Sequence, residues 1–170
     1  RSIAPILVAG RSWADAHAQM APAVVEAAGD AGAFVMVAPR EVGGWEATLP
    51  EILRCSEDLG AADPTVAWHS GNSHALGGVA AYLAVEDRER VFAGRAGPYG
   101  FSAAMKGVAR PVDGGYLVSG RWPMVTGALD VQWAALGGVV EEGGGPRQVN
   151  GMVDGRLFVV SSQDFVIERT

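Results

Sequence analysis

The sequence is poor in the features that mark several large classes of protein. A single cysteine, Cys55, in 170 residues excludes an internal disulfide. Residues 1–10 carry no charged stretch followed by an apolar run and a cleavage site, so the expected setting is the cytoplasm. Thirteen Lys and Arg stand against nineteen Asp and Glu, a net charge of −6 with no basic stripe. That balance excludes a phosphate-neutralising nucleic-acid surface. Gly, Ser, Asn or His interrupt every apolar stretch well before the roughly 20 residues of a membrane-spanning helix. No Gly-x-Gly-x-x-Gly follows a strand and no Walker loop occurs, which excludes a Rossmann or P-loop nucleotide site.

What is present is the composition of a folded globular chain, 49% hydrophobic and 19% charged. Prolines and glycines punctuate the first half into helices, because Pro suits a first helical turn and Gly a left-handed exit. The pattern predicts helices over Ala4–His17, Pro22–Ala31 and Pro50–Leu59, the last capped by Thr48. Asp63-Pro64-Thr65 then opens a helix over Val66–Leu83 that is apolar or small nearly all round, as a central buried helix would be. A short charged helix follows near Glu86–Phe92. Cys55, beside Leu53 and Leu59, reads as a buried, inert thiol.

Beyond Gly94 the pattern changes to short β-prone runs between turn residues, the signature of antiparallel sheet. Lys106–Val112 and Tyr116–Gly120 flank Asp113-Gly114-Gly115, a hairpin signal. Val131–Val140 reads as a long strand and Glu141–Pro146 as a turn. Gln148–Val153 and Leu157–Val160 form a second expected hairpin around Asp154-Gly155, and Phe165-Val166-Ile167 begins a further strand. The expected fold is α+β, with a helical domain over 1–94 and an antiparallel β-barrel or sandwich domain over 95–170. The sequence reaches Thr170 in extended pattern without a closing turn, which is expected of a truncated polypeptide.

Two constellations could bear chemistry. His69 and His74 are five apart, about 140° around a helix, which is poor geometry for a shared metal. Gly71-Asn72-Ser73-His74-Ala75 approaches a hydrolase nucleophile elbow but lacks its second glycine and preceding strand. The same helix offers a face of Gly71, Ala75, Gly78 and Tyr82, with Trp68 and His74 at its margins. That face suits close helix packing with a structural His74, or a pocket floor with an imidazole for proton transfer and an indole for stacking. The second constellation is Ser119-Gly120-Arg121-Trp122-Pro123-Met124-Val125-Thr126-Gly127, an irregular loop between strands. It reads equally as a β-bulge with Trp122 as core filler or as a cradle for a flat heteroaromatic ring.

Taken in order, Ala33-Phe34 to Pro39-Arg40-Glu41-Val42-Gly43-Gly44, Leu59 to Asp63 with Trp68, Val112 to Tyr116, Ser119 to Trp122, and Thr126-Gly127 to Asp130 with Trp133 resemble acyl-CoA dehydrogenase-like proteins. The resemblance covers essentially the whole chain. It is nearest to the flavin-dependent monooxygenase branch, the two-component aromatic and polyketide hydroxylases, through Gly-x-Trp-x-x-x-(Ser/Thr)-Gly at Gly120–Gly127. The dehydrogenases themselves usually show Lys-x-Trp-Ile-(Thr/Ser)-Asn-Gly there.

The resemblance implies a flavin, FAD or FMN, with a reduced diffusible flavin as one form of it, lined by Trp122, Met124 and Thr126. It places the Thr126 hydroxyl or amide near the flavin N5 and O4, and Trp68 and His74 on the substrate side. Tyr99 to Ser102 falls where the family makes flavin or phosphate contacts, but departs from the dehydrogenase Thr-Glu-Pro-Gly-x-Gly-Ser form. It further implies a C-terminal four-helix bundle absent from this chain, a homotetramer, and a separate flavin reductase as partner. The implied activity is hydroxylation of an aromatic or polyketide-like substrate with reduced flavin and O2, with His74 and Thr126 as catalytic residues. The alternatives are FAD-dependent α,β-dehydrogenation of an acyl-CoA thioester and a non-catalytic binding or assembly module.

Overall fold

The computed structural model describes residues 2–93 and 97–168. Five helices come first: α1 (Ala4–His17), α2 (Pro22–Asp30), α3 (Leu49–Ala62), α4 (Pro64–Val79) and α5 (Val85–Phe92). The limits follow local chemistry. At α3 a single Glu51 carboxylate oxygen accepts from both the Thr48 N–H (2.8 Å) and the Thr48 hydroxyl (2.7 Å), which holds the Glu51 carboxyl below its ordinary range. At α4 the Asp63 side chain accepts from the backbone N–H groups of Thr65 (2.8 Å) and Val66 (3.4 Å), and Pro64 supplies the first turn. Arg11 of α1 donates to the carbonyls of Ala61 and Ala62, satisfying the end of α3.

The helices pack around Leu7, Met20, Val24, Ala28, Phe34 and Val66. Helix α4 is buried along one stripe, Val66, Ser70, Ser73, Leu76 and Gly77, rather than all round. Its opposite face is open among the described residues: Trp68 is 66% exposed, and in the turn that follows Tyr82 is 91% exposed. Cys55 is half-buried rather than enclosed.

The β half contains β1 (Gly100–Val112), β2 (Gly115–Gly120), β3 (Trp133–Glu142), β4 (Gly145–Pro146), β5 (Gln148–Val149), β6 (Met152–Val153) and β7 (Gly155–Ser161). The first expected hairpin forms, Val112 facing Gly115 across a turn in which Gly114 takes φ 76°. The antiparallel barrel does not: β3 lies parallel to β1, and the sheet is mixed and open, in the order β2-β1-β3 with β4 and β7 both antiparallel to β3. The reason is the connection after β2. Parallel neighbours need a crossover of about a dozen residues, and residues 121–132 provide it, taking the chain from one edge of β1 to the other.

The second hairpin is also redrawn. It turns at Asn150-Gly151, pairing β5 with β6, while β7 pairs with β3. Asp154, expected at that turn, instead binds Arg147 (2.6 Å) and Arg156 (2.9 Å), tying the small hairpin to the sheet. Phe165-Val166-Ile167 does not form a strand; a 3-10 turn over Ser162–Asp164 ends β7 and the chain continues irregularly. The expected domain boundary at 94/95 lies outside the described residues. A second core of Val35, Ala38, Leu76, Phe92, Tyr99 and Ala135 joins helices to sheet.

Candidate active site

The crossover is held down by Trp122. Its indole N–H donates to the Gly137 carbonyl (2.7 Å), and its ring lies where a side chain on Gly107 would be, 2.5 Å from an added Cβ. Trp122 thus fastens the loop to the sheet. Met124, two residues on, takes φ 59° and is 94% exposed. Thr126 then bridges back to Phe101 of β1, fixing the loop where it passes α4. Gly127 completes the contact, since a Cβ there would come 3.1 Å from the His69 ring.

Between α4, the end of α1 and this loop is a cleft of about 400 Å³, lined by Thr65, Trp68, His69, Thr126, Gly127 and Asp130 among others. The fold therefore brings Trp68 and Thr126 together. His74 does not line the cleft. Its Nε2 lies 3.2 Å from the Ser70 hydroxyl, which itself donates to the Ala33 carbonyl (2.5 Å), so His74 donates into a buried polar chain. Tyr99 is buried against Phe92 (ring centroids 5.1 Å), and its N–H donates to the Ser73 hydroxyl (3.0 Å). Burial pushes the Tyr99 phenol up, against a smaller opposing effect of a Gly97 backbone bond. Ser102 is buried on β1 opposite Leu136.

The cleft residue that sequence reasoning passed over is His69, weighed there only as a metal ligand. Its Nδ1 lies 2.8 Å from the Thr65 carbonyl, and a carbonyl can only accept, so Nδ1 carries the proton. In the neutral ring Nε2 is then an acceptor with no partner among the described residues, and His69 lines the cleft. The signal was the i, i+4 spacing to Thr65 just inside a capped helix start. A larger depression, about 590 Å³, lies by Arg90, Trp133 and Ser161–Asp164, and contains none of the cofactor, substrate or catalytic residues expected from the sequence.

Burial holds the His74 imidazole below its ordinary value of 6.5, the Ala33 backbone contact opposing that shift. A folded-state value below the unfolded one means that the unfolded chain binds the extra proton. Stability is then fully present above the unfolded value and declines as the pH falls below it. Between about pH 7.5 and 5.5 the protein is expected to lose stability relative to its His74→Gln variant, by no more than about 1.4 kcal/mol per pH unit. Parallel urea-denaturation curves at the two pH values would show otherwise if the difference stayed constant.

No protein-family model matches the chain. It is 28% identical over 144 residues to the oxygenase component of an FADH2-dependent resorcinol hydroxylase from Rhizobium sp., covering 82% of this chain and 33% of that protein. Among solved structures, the 3-HSA hydroxylase from Rhodococcus sp. RHA1 superposes with a TM-score of 0.82 at 25% identity, over 98% of this chain and 43% of that one. XiaF from Streptomyces sp., solved with FADH2 and glycerol, superposes with a TM-score of 0.86 at 22% identity, over 99% and 41%. The chain spans about a third of the length of that first relative and under half of either structure. Over most of its own length it is similar to an FADH2-dependent hydroxylase, and it shares the α+β fold of these enzymes.

Proposed function

We propose that this chain forms the helical and β portions of a flavin-dependent monooxygenase that hydroxylates an aromatic ring, using reduced flavin and O2. The observation that supports this reading is the cleft in which the crossover loop sets Thr126 against Trp68 and His69. The residues fit a flat ring with polar edges. A cleft of about 400 Å³ is within the range of small-molecule sites, and its walls combine an indole, an imidazole acceptor, a hydroxyl and loop backbone. Thr126 and the adjoining loop would hold a flavin edge, with Met124 exposed beside them. Bound reduced flavin would supply the activation of O2 and the transfer of one oxygen atom.

The protein's own part is positioning and proton handling. His69 Nε2, its tautomer set by Thr65, accepts a hydrogen bond from a substrate hydroxyl and draws its proton, which enriches the ring in electron density. Trp68 supplies a face for the ring to stack on. His74 is held in the helical core by Ser70, whose hydroxyl donates to the Ala33 carbonyl, and takes no part in the cleft. A separate flavin reductase and assembly into a tetramer complete the proposal, with acyl-CoA dehydrogenation as the competing chemistry.

The intact protein, given chemically reduced FAD and resorcinol under ¹⁸O2, is expected to form a hydroxylated product carrying one ¹⁸O. Product without label, together with reduced flavin that survives in air and reduction of flavin by an acyl-CoA, would turn the assignment to dehydrogenation. Protein that binds no flavin in either redox state would leave a binding module.

A further inference from the structure

The cleft contains one charged side chain, Asp130, and no cation among the described residues pairs with it. Its half-buried carboxylate is held in place from the other side of the cleft. The Gln19 amide donates to Asp130 Oδ1 (2.7 Å) and to the Leu129 carbonyl (3.4 Å), across 111 positions of sequence. Gln19 follows the left-handed end of α1, and Asp130 is fixed at its own backbone by a bond from its N–H to the Gly127 carbonyl (2.8 Å). These bonds hold the carboxylate at the cleft from two sides. Gln19 occupies Oδ1, so Oδ2 of this cleft-lining carboxylate is without a partner among the described residues.

We propose that Asp130 is a specificity-determining residue, a fixed negative charge that admits neutral hydroxylated rings and rejects ring carboxylates. This rests on the proposed placement of substrate in the cleft. Like charges brought together in a partly desolvated site discriminate more strongly than any single attractive contact there. The lining otherwise has neutral donors and acceptors, Thr126, Gln19, Thr65 and the Trp68 indole, which suit hydroxyl groups.

The test uses the fluorescence of Trp68, which lines the same cleft, isolated as the difference between the intact protein and its Trp68→Phe variant. Quenching by iodide, an anion, is compared with quenching by neutral acrylamide at constant ionic strength. Asp130→Asn preserves the acceptor for Gln19 and is expected to raise iodide quenching at least about twofold with acrylamide unchanged, while Asp130→Glu leaves both unchanged. In the same proteins, preference for resorcinol over 2,4-dihydroxybenzoate by equilibrium binding is expected to be about tenfold and to fall to about threefold or less in Asp130→Asn. Iodide quenching that ignores Asp130→Asn, or that rises together with acrylamide, overturns the proposal. If iodide responds and neither phenol binds, the charge gate stands and the phenol-hydroxylating assignment falls. If phenols are hydroxylated and iodide does not respond, the reverse holds.

Discussion

Gly44→Ala is expected to cost the fold at least about 3 kcal/mol, enough to unfold a domain of ordinary stability under mild denaturant. A Cβ at Gly44 would lie 1.9 Å from the Ala38 carbonyl oxygen and 2.3 Å from its carbon. Neither atom can retreat. Ala38 is fully buried in the core that joins helices to sheet, and its carbonyl accepts from the Glu46 N–H (3.2 Å). The loop is stitched to itself by further bonds, Gly44 N–H to the Pro39 carbonyl (2.9 Å) and Ala47 N–H to the Met36 carbonyl (2.8 Å). The neighbouring glycine provides the control. Gly43 takes φ 86° with nothing within 4 Å of an added Cβ, so Gly43→Ala meets only left-handed strain of about 1–2 kcal/mol. Urea denaturation of both variants decides the matter, and equal losses would mean that the close approach at Gly44 relaxes freely.

That loop shows what the sequence can and cannot carry. Pro39, Gly43 and Gly44 mark a packed connection, and Thr48 and Asp63 mark helix starts, because turns and caps are written in adjacent residues. The parallel pairing of β1 with β3 is not written locally. Each strand reads as a β-run on its own, and which edge it joins depends on where the crossover over residues 121–132 carries the chain. The same holds for Asp154-Gly155, as good a turn signal as Asn150-Gly151 in sequence, but committed by its carboxylate to two arginines.

Helix α4 was misread for a different reason. Its Ala, Gly and Ser residues differ too little in hydropathy to reveal which side is buried, so a one-sided stripe looked like an all-round one. Trp122 illustrates a role that the loop's residue types leave open. An indole beside two glycines could face a ligand or cover a sheet, and here its N–H is spent on the Gly137 carbonyl. Trp68, expected on the substrate side, and Thr126, expected at the flavin, both line one cleft, while the choice between two histidines on one helix turns on where the distant loop lands.

That choice yields the largest expected effect on activity. His69→Ala is expected to lower turnover of a phenolic substrate by about two to four orders of magnitude, the span of general acid–base catalysis, with flavin binding and melting temperature nearly unchanged. The imidazole is half-buried at the cleft wall, and the Thr65 carbonyl that fixes its tautomer remains bonded within the helix when the ring is removed. His74→Ala should behave in the opposite way. It removes a donor from the chain through Ser70 to the Ala33 carbonyl in the helical core, so it lowers stability by about 1–3 kcal/mol while turnover changes modestly. Measuring turnover and thermal stability on both variants separates the two histidines. A His74→Ala protein that keeps its melting temperature and loses turnover, beside an active His69→Ala protein, would move the proton-handling role five residues along the helix and out of this cleft.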